Sequence, residues 1–317
     1  MKLKINKSLN QLKKFLVIGG GRWGVVHALE LFKTYTKCEV YLYTKINYNE
    51  LITQNELSNK IFIINSLNKV LKLDLSLIIL ANRYDKNFLY LKKFSKYNFN
   101  ILIEKPFLKS SVIFQNLYQK YQNNNINIAL STPWIYDKNL IYFVKKISTK
   151  NIHTVKFTWF SKKNIIKYNN LVVFDNRITH LTDIFSHILS FLICIFKSNK
   201  FIIHNIRYTK FKKKEKTSFF LFNKKIIIEN SNNINIEKRN IEILYNSNDI
   251  YLLSYKNNLL KIKKNNRIIG KFEDKKNKLK HQYSSILKNK KLDKQNNYQI
   301  FNTIAFNSTK LLKEINK

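Results

Sequence analysis

Short apolar runs alternate with helical patterns over the first third of the chain. Strands are predicted at residues 15–18, 39–43, 61–64, 75–81, 101–103 and 126–130, and helices at 23–33, 87–97 and 110–122. Strands that alternate with helices in this way indicate βαβ units and a parallel sheet. We therefore expect a doubly wound α/β domain over residues 1–130.

The pattern changes after residue 130. A strand is predicted at 153–160 and a long buried helix at 179–196. Strand-like runs separated by Asn- and Lys-rich turns follow at 201–207, 218–222, 225–229, 241–245, 251–255, 259–262 and 267–272, and helices return from residue 275. Such a meander predicts a mainly antiparallel or mixed sheet. We expect a second, α+β domain over residues 131–317, with one open sheet face that packs in a homodimer or homotetramer.

The charge of the chain is strongly positive. The 317 residues include 58 Lys and Arg but only 19 Asp and Glu, which gives a net charge of +39. Nearly all of the basic residues are Lys, spread along the whole length, as A/T-rich coding produces without an anionic partner. The basic run 212–214, between Phe211 and Glu215, is predicted to be a solvated loop. We expect no nucleic-acid partner; the alternative, binding through charge, predicts salt-sensitive affinity for any duplex.

The cysteines and the apolar segments indicate the cellular compartment. Cys38 and Cys194 make no disulfide framework and are predicted to be packed thiols in a reducing compartment. The basic residues 1–14 lead into no signal-like apolar region. The longest apolar-rich stretch, 184–196, is shorter than the roughly 20 residues that a bilayer requires. We expect a cytoplasmic protein with no membrane partner and no metal site.

A glycine motif follows the first predicted strand and opens the first helix. Gly19, Gly21 and Gly24 fit G-x-G-x-x-G, the fingerprint of a Rossmann dinucleotide site. The first permits a tight turn, the second lets the backbone approach a pyrophosphate, and the third lets helix and strand pack closely. The helix N-terminus favours the phosphates, and Arg22 and Trp23 are expected to contact the cofactor. The alternative is a glycine-rich turn without a ligand.

The second predicted strand bears on the choice of nucleotide. Thr44 and Lys45 stand where an Asp or Glu would bind the ribose 2′-hydroxyl of NAD. A hydroxyl and an ammonium suit a 2′-phosphate better, so NADP is favoured over NAD. The alternative is that Lys45 is one more solvated surface lysine. Asn82, which follows the fourth strand, is also expected to face the cofactor.

Two further motifs carry candidate chemistry. Glu104-Lys105-Pro106 follows the fifth strand, and ligands of open parallel sheets bind outside the carboxyl ends of the strands. His180 and Asp183 are spaced i, i+3, which places them on one face of a helix. A His exchanges protons near neutral pH.

Together these motifs resemble those of the Gfo/Idh/MocA family of oxidoreductases. That family combines G-x-G-x-x-G, then E-K-P after the fifth strand, then D-x-G-x-H-x-x-D at the start of a helix in its second domain. Here Asn176 and Ile178 stand in place of the Asp and Gly, and residues 81–83 replace the family's Thr-Pro type of turn. The resemblance covers the whole chain, and the departures concern the substrate class.

The resemblance implies roles for individual residues. Lys105 would hold the reacting oxygen or nitrogen of the substrate, His180 would exchange the proton that accompanies hydride transfer, and Asp183 would orient the substrate or the His. Glu104 and Pro106 would shape the turn beside the nicotinamide. The alternatives are a solvated lysine, a structural histidine and an acid that stabilises the first turn of a helix.

Four residues are weaker candidates for substrate contact: Trp134, Tyr136, Asn176 and His187. Packing in the core is the alternative for the two aromatic residues and for His187, which forms a second i, i+4 pair with Asp183. The function expected is an NAD(P)-dependent oxidoreductase acting on a small sugar-like or polyol-like carbinol or carbonyl. Reduction of a C=N bond and a non-catalytic nucleotide-binding module are the alternatives.

Overall fold

A computed structural model describes residues 12–45, 61–107, 116, 119, 126–162, 166–167, 170–171, 179–212, 214–234, 237–256, 259–273, 278–288 and 291–317. Its helices are α1 (Arg22–Thr34), α2 (Tyr84–Phe94), α3 (Lys138–Lys146), α4 (His180–Phe196), α5 (Lys278–Leu287) and α6 (Lys291–Ile315), with short 3-10 helices at Val70–Lys72 and Pro133–Tyr136. Its strands are β1 (Lys13–Ile18), β2 (Cys38–Tyr43), β3 (Ile61–Ile64), β4 (Leu77–Leu80), β5 (Ile101–Ile103), β6 (Ile128–Leu130), β7 (Ile152–Lys162), β8 (Ile166–Lys167), β9 (Asn170–Leu171), β10 (His204–Phe211), β11 (Lys214–Leu221), β12 (Lys224–Ile234), β13 (Lys238–Tyr245), β14 (Ile250–Lys256), β15 (Leu259–Lys264) and β16 (Arg267–Glu273).

The chain divides into two compact units. The first comprises the described residues within Met1–Phe107, Phe114–Ser131 and Gln282–Tyr298. The second comprises those within Leu108–Ile113, Thr132–His281 and Gln299–Lys317. A late segment, the end of α5 and the start of α6, therefore belongs to the same unit as the N-terminal strands.

The sheet of the first unit is parallel, with the strand order β3-β2-β1-β4-β5-β6. Its central strands are continuous runs of buried apolar residues, as expected of a parallel sheet covered on both faces. Because β1 lies between β2 and β4, the direction of winding reverses at β1, and a crevice forms there outside the carboxyl ends of the strands. The predicted doubly wound Rossmann sheet is confirmed.

The sheet of the second unit has the order β10-β11-β12-β7-β13-β14-β15-β16. β7 pairs in parallel with β12 and antiparallel with β13, while the other neighbouring pairs are antiparallel. The buried face of β11 packs on α4, where the rings of Phe185 and Phe219 lie 6.0 Å apart. The mainly antiparallel open sheet predicted from the meander is confirmed.

The outer face of this sheet carries both basic and apolar side chains. Lys214 and Lys216 are exposed on β11, and Phe211 and Phe220 lie 74% and 42% exposed. The solvated loop predicted at 212–214 is only partly right, because Lys214 already begins β11. Glu215, which flanks that run, is buried at 6% exposure. Alternate side chains of a strand point inward, and among so many charged neighbours the sequence does not show that Glu215 is one of them.

Several element boundaries differ from the sequence-based ones. α2 begins at Tyr84 rather than at residue 87, and β10 ends at Phe211 rather than at 207. α3 was not predicted, although Asp137 caps it by accepting hydrogen bonds from the backbone N–H groups of Asn139 and Leu140 at 3.0 and 3.1 Å. Of the helix predicted at 110–122 only residues 116 and 119 are described, and both are helical. No helix among the described residues is long and apolar enough to cross a membrane.

Candidate functional site

The glycine loop between β1 and α1 is held against neighbouring backbone. Gly19 has φ +118°, and a Cβ atom there would lie 2.6 Å from the carbonyl oxygen of Ala81. A Cβ on Gly24 would lie 1.6 Å from the carbonyl oxygen of Gly19. Both positions therefore require glycine, one for its backbone conformation and both for the close approach of two chain segments.

At position 21, neither the backbone conformation nor a contact with the described residues requires glycine. Among the described residues, no atom beyond its chain neighbours lies within 4 Å of the position that its Cβ would occupy. Gly21 is the N-cap of α1, with no side-chain cap and no acidic residue in the first turn. Open space in front of backbone N–H groups and a positive dipole end is what a pyrophosphate needs. Beside it, the Arg22 guanidinium lies 5.4 Å from the centre of the Trp23 ring.

Two loops beside the glycine loop were also predicted to contact the nucleotide. At the end of β2, Thr44 is buried and Lys45 is exposed. At the end of β4, the backbone N–H of Asn82 donates to the side-chain oxygen of Asn87 at 3.0 Å. The amide nitrogen Nδ2 of Asn82 is buried and has no partner among the described residues. A buried donor without a partner is costly, so this atom suits a ligand.

Glu104 lies in the loop that follows β5, inside a buried chain of hydrogen bonds. His27 Nε2 lies 2.7 Å from Glu104 Oε1, and His27 Nδ1 lies 2.7 Å from the hydroxyl of Tyr283. His27 and Tyr283 are 0% exposed and Glu104 is 5% exposed. The Glu104 backbone is fixed as well, because its N–H donates to Leu80 O at 2.8 Å.

The pKa of Glu104 lies below its ordinary value near 4.5. Burial alone would raise this pKa, but the hydrogen bond and charge of His27, a hydrogen bond from Ser131 and the charge of Lys105 together lower it. Glu104 is therefore a buried carboxylate immediately before the candidate catalytic lysine.

This lowered pKa predicts a pH-dependent stability. Because the folded pKa lies below the unfolded one, the stabilisation by ionised Glu104 is fully present above about pH 4.5 and is lost as the pH falls through the folded pKa. Urea unfolding between pH 7 and pH 3 should show a steeper loss of unfolding free energy below pH 4.5 in the wild type than in Glu104→Gln. Parallel curves for the two proteins would contradict this assignment.

The first unit thus brings its predicted residues to one edge of the sheet. The loops after β1, β2, β4 and β5 share this edge because the strands are parallel neighbours. Asn87 links two of them, since its side chain accepts from Asn82 and donates to the carbonyl of Glu104 at 3.5 Å. Lys105, half-buried, follows at the same edge and is joined to Pro106 by a cis peptide bond.

His180 lies in the second unit, at the first position of α4. It is 7% exposed, with Nε2 at 3.2 Å from Ser161 Oγ and Nδ1 at 3.3 Å from Asn230 Nδ2. An amide nitrogen only donates, so Nδ1 accepts and the neutral ring carries its hydrogen on Nε2. Asn230 therefore fixes the tautomer in which Nε2 faces Ser161.

A buried acid supports this arrangement. Glu215 accepts hydrogen bonds from Asn230 Nδ2 at 2.6 Å, from the backbone N–H of Leu181 at 3.1 Å and from the hydroxyl of Tyr208 at 3.1 Å. Its carboxylate also lies at the N-terminus of α4, where a negative charge is favourable. The sequence analysis did not identify Ser161, Asn230 and Glu215 as members of this site. The signal that could have found them is a polar residue at an inward-facing position of a strand.

Trp134 and His187 come together in an aromatic cluster of the second unit. His187 stacks on Trp159 with ring centres 5.8 Å apart and lies 6.3 Å from the ring of Trp134. Lys278 Nζ lies 3.8 Å from the centre of the Trp134 ring and 2.6 Å from the carboxylate of Asp137. The cavity beside the two tryptophans measures about 10 Å³, space for one water.

The remaining predictions have simple outcomes. Asp183 and Tyr136 are half-buried in the second unit, and Asn176 lies outside the described residues. Cys38 is buried, Cys194 is half-buried, and neither forms a disulfide with a described residue. Burial first, and then the charge of Asp137, raise the pKa of Cys194 to about 12. The described residues include no group of three His, Cys, Asp or Glu side chains that could hold a metal ion.

Sequence comparison finds no relative, whereas structure comparison does. No family model matches the chain, and no curated protein matches it. A UDP-N-acetylglucosamine 3-dehydrogenase from Acidithiobacillus ferrooxidans matches with TM-score 0.69 and 13% identity over 93% of this chain and 98% of that one. A Gfo/Idh/MocA family oxidoreductase from Vibrio cholerae matches with TM-score 0.67 and 13% identity over 96% and 100% of the two chains. Biliverdin reductase from Synechocystis, solved with biliverdin and NADP+, matches with TM-score 0.65 and 8% identity over 93% and 98%.

These matches define the fold. The chain has the two-part fold of Gfo/Idh/MocA oxidoreductases, over nearly its whole length and nearly the whole length of those proteins. The fold inferred from the three sequence motifs is therefore confirmed. Identities of 8–13% leave the activity to be argued from the residues of this chain.

Proposed function

We propose that the chain is an NAD(P)-dependent oxidoreductase that transfers a hydride between the nicotinamide and a carbinol or carbonyl of a sugar-like or polyol-like small molecule. The observation that carries this proposal is the edge of the first sheet, where three features follow neighbouring strands. They are the open glycine loop, the Asn82 amide nitrogen, which is buried without a partner among the described residues, and the Glu104-Lys105 loop. The open position at Gly21 and the donor on Asn82 fit a dinucleotide.

The roles of the residues follow from their chemistry. A bound nicotinamide would accept or supply the hydride. Lys105 would donate a hydrogen bond to the reacting oxygen of the substrate and stabilise negative charge there. In the oxidative direction, His180 would take the hydroxyl proton at Nδ1, which must then give up its hydrogen bond from Asn230, because Nε2 already carries a hydrogen. Asp183 would orient the substrate or the His. Trp134, Tyr136, Asn176 and His187 are the weaker candidates for contact with the substrate.

The test of this proposal separates binding from turnover. Purified protein is titrated with NADPH and NADH, following fluorescence at moderate salt. Turnover is then measured against UDP-N-acetylglucosamine, free sugars and polyols, and cyclic imines, so that C=O and C=N chemistry are distinguished. Micromolar binding followed by turnover supports the proposal; well-folded protein that binds neither nucleotide contradicts it, and binding without turnover favours a non-catalytic nucleotide module.

The residues after β2 favour NADP over NAD. Lys45 is exposed just after β2, where its ammonium would pair with a 2′-phosphate. We expect Lys45→Ala to weaken NADPH binding about fivefold, as an exposed ion pair allows, and to leave NADH binding unchanged. Lys33→Ala, at an exposed position in the last turn of α1, is the matched control. An equal loss for both nucleotides would show that Lys45 does not read the 2′-phosphate.

Assembly and compartment are part of the same proposal. A homodimer or homotetramer would use the open face of the second sheet, where exposed Phe211 and Phe220 supply apolar surface. Cys38 and Cys194, which form no disulfide within the described part of the chain, suit the reducing cytoplasm. The partner proposed is a small-molecule substrate, with neither nucleic acid nor membrane involved. Sedimentation equilibrium at several salt concentrations would give the oligomeric state.

A further inference from the structure

The hydrogen positions within the buried chain of Tyr283, His27 and Glu104 follow from its chemistry. Burial first, and then the charges of Glu104, Glu30 and Tyr35, raise the pKa of Tyr283 well above its ordinary value. The phenol therefore keeps its proton, and its hydroxyl forms a hydrogen bond with His27 Nδ1. Because an ionised carboxylate only accepts, His27 Nε2 carries a hydrogen and donates it to Glu104 Oε1.

The location of this chain is informative. Well-packed apolar side chains are often at least as favourable for stability as a buried carboxylate with its partners. Glu104 nevertheless occupies the position immediately before Lys105, on the loop that Asn87 ties to the end of β4. Its partners come from α1, three residues after the last glycine of the motif, and from α5, late in the sequence. Three distant segments thus converge on the residue beside the candidate catalytic lysine.

We propose that His27 and Tyr283 are positioning residues, which keep Glu104 ionised and fixed beside Lys105, so that activity at acid pH depends on both of them. The inference rests on the proposed function only for its kinetic part. Without the Tyr283 hydroxyl, the His27 ring loses the hydrogen bond at Nδ1 that orients it, so the hydrogen bond from Nε2 to Glu104 weakens. A buried carboxylate that loses a donor binds a proton at higher pH.

The groups that face Glu104 come from each neighbouring element. They are His27 from α1, Tyr283 from α5, Lys105 from the same loop and the Ser131 hydroxyl that follows β6. Lys105 and Ser131 are unchanged in a Tyr283 variant. A shift in the titration of Glu104 would therefore report the link through His27.

The first measurement is the titration of Glu104 itself. Protein with ¹³C-labelled glutamate carboxyl groups is followed by NMR from pH 7 to pH 3, and Glu104→Gln identifies the Glu104 signal by its absence. We expect Tyr283→Phe to raise the midpoint of this signal by about one pH unit, the equivalent of one hydrogen bond. His27→Leu, which removes the donor outright, should raise it further and serves as a second variant. Circular dichroism checks that each variant is folded.

The matched control is Tyr41→Phe. It removes a phenol hydrogen bond elsewhere in the first unit, from Tyr41 to Glu39 at 2.8 Å, on a strand that β1 and β4 separate from β5. We expect this variant to leave the Glu104 midpoint unchanged. An unchanged midpoint in Tyr283→Phe and His27→Leu as well would overturn the proposal, whatever their activity.

The second measurement is the pH profile of kcat with whichever panel substrate the wild type converts. We expect the acid limb to move to higher pH in Tyr283→Phe by the same amount as the NMR midpoint, with nucleotide affinity unchanged. A shifted midpoint with an unshifted acid limb would overturn the positioning role. If the wild type shows no turnover at all, the proposed function fails, and the NMR titration alone then decides whether His27 and Tyr283 hold Glu104 ionised.

Discussion

Replacing Lys105 by alanine is expected to lower turnover by about 10²- to 10⁴-fold, the usual contribution of one positioned proton-transfer or charge-stabilising group. Lys105 follows a buried carboxylate at the carboxyl end of β5, on the edge of the sheet at which ligands of open parallel sheets bind. Nucleotide affinity should change little, because the open glycine loop is intact. The measurement is kcat and KM with the active panel substrate, beside a fluorescence titration of nucleotide.

The control for this variant is Lys93→Ala, which removes an exposed lysine from α2 in the same unit. It should retain wild-type turnover and binding. If Lys105→Ala also retains turnover, then Lys105 is a solvated lysine and the proposed chemistry fails, even if nucleotide binds. If it loses nucleotide binding and turnover together, Lys105 serves the cofactor and not the substrate.

Two alanine variants of the glycine motif should differ in their effect on the free energy of unfolding. Gly24→Ala places a Cβ 1.6 Å from a backbone oxygen of Gly19, so α1 and the loop must move apart. We expect a loss of about 3 kcal/mol of unfolding free energy, at the upper end for overpacking. Gly21→Ala meets no described atom, and the backbone at Gly21, with φ −68° and ψ 176°, is open to alanine. Its stability should remain within roughly 0.5 kcal/mol of the wild type.

The same pair tests the cofactor site. In Gly21→Ala the new methyl group would occupy the space that a pyrophosphate needs, so we expect nucleotide affinity to fall about 10- to 100-fold, the equivalent of one to three kcal/mol of steric conflict. Urea unfolding and fluorescence titration of both variants give the two readouts. Unchanged affinity in a stable Gly21→Ala protein would show that no phosphate lies against this position, and the loop would then be structural.

Much of the first unit could be predicted because its signals are local. The apolar run Phe15–Ile18 predicts a strand, and the three glycines after it predict a turn into a helix. Gly24 follows the strand at the spacing required where the helix packs closely on it. Gly21 was identified by the same spacing. The start of α3 carries a local signal as well, because Asp137 stands as an N-cap residue before an apolar periodic run.

The second unit was predictable in type but less so in detail. Alternation of apolar and polar residues predicted the strands and the open sheet. The parallel pairing of β7 with β12 depends on which strands become neighbours in the fold, and no local pattern encodes that choice. Glu215 shows the same limit. Its neighbours on both sides are lysines, and only the register of β11 against β12 places it beside Asn230 and, through Asn230, in the network that holds His180.

The sequence by itself determined the doubly wound sheet, the glycine loop, and the positions of Lys105 and His180 in the chain, because each depends on residues a few positions apart. Only the tertiary structure decided which side chains surround them. His27 and Tyr283 are 256 residues apart, and Asn230 lies 50 residues from His180. Contacts of this kind form only when burial of the whole core repays the entropy of bringing distant segments together, so no short stretch of sequence records them.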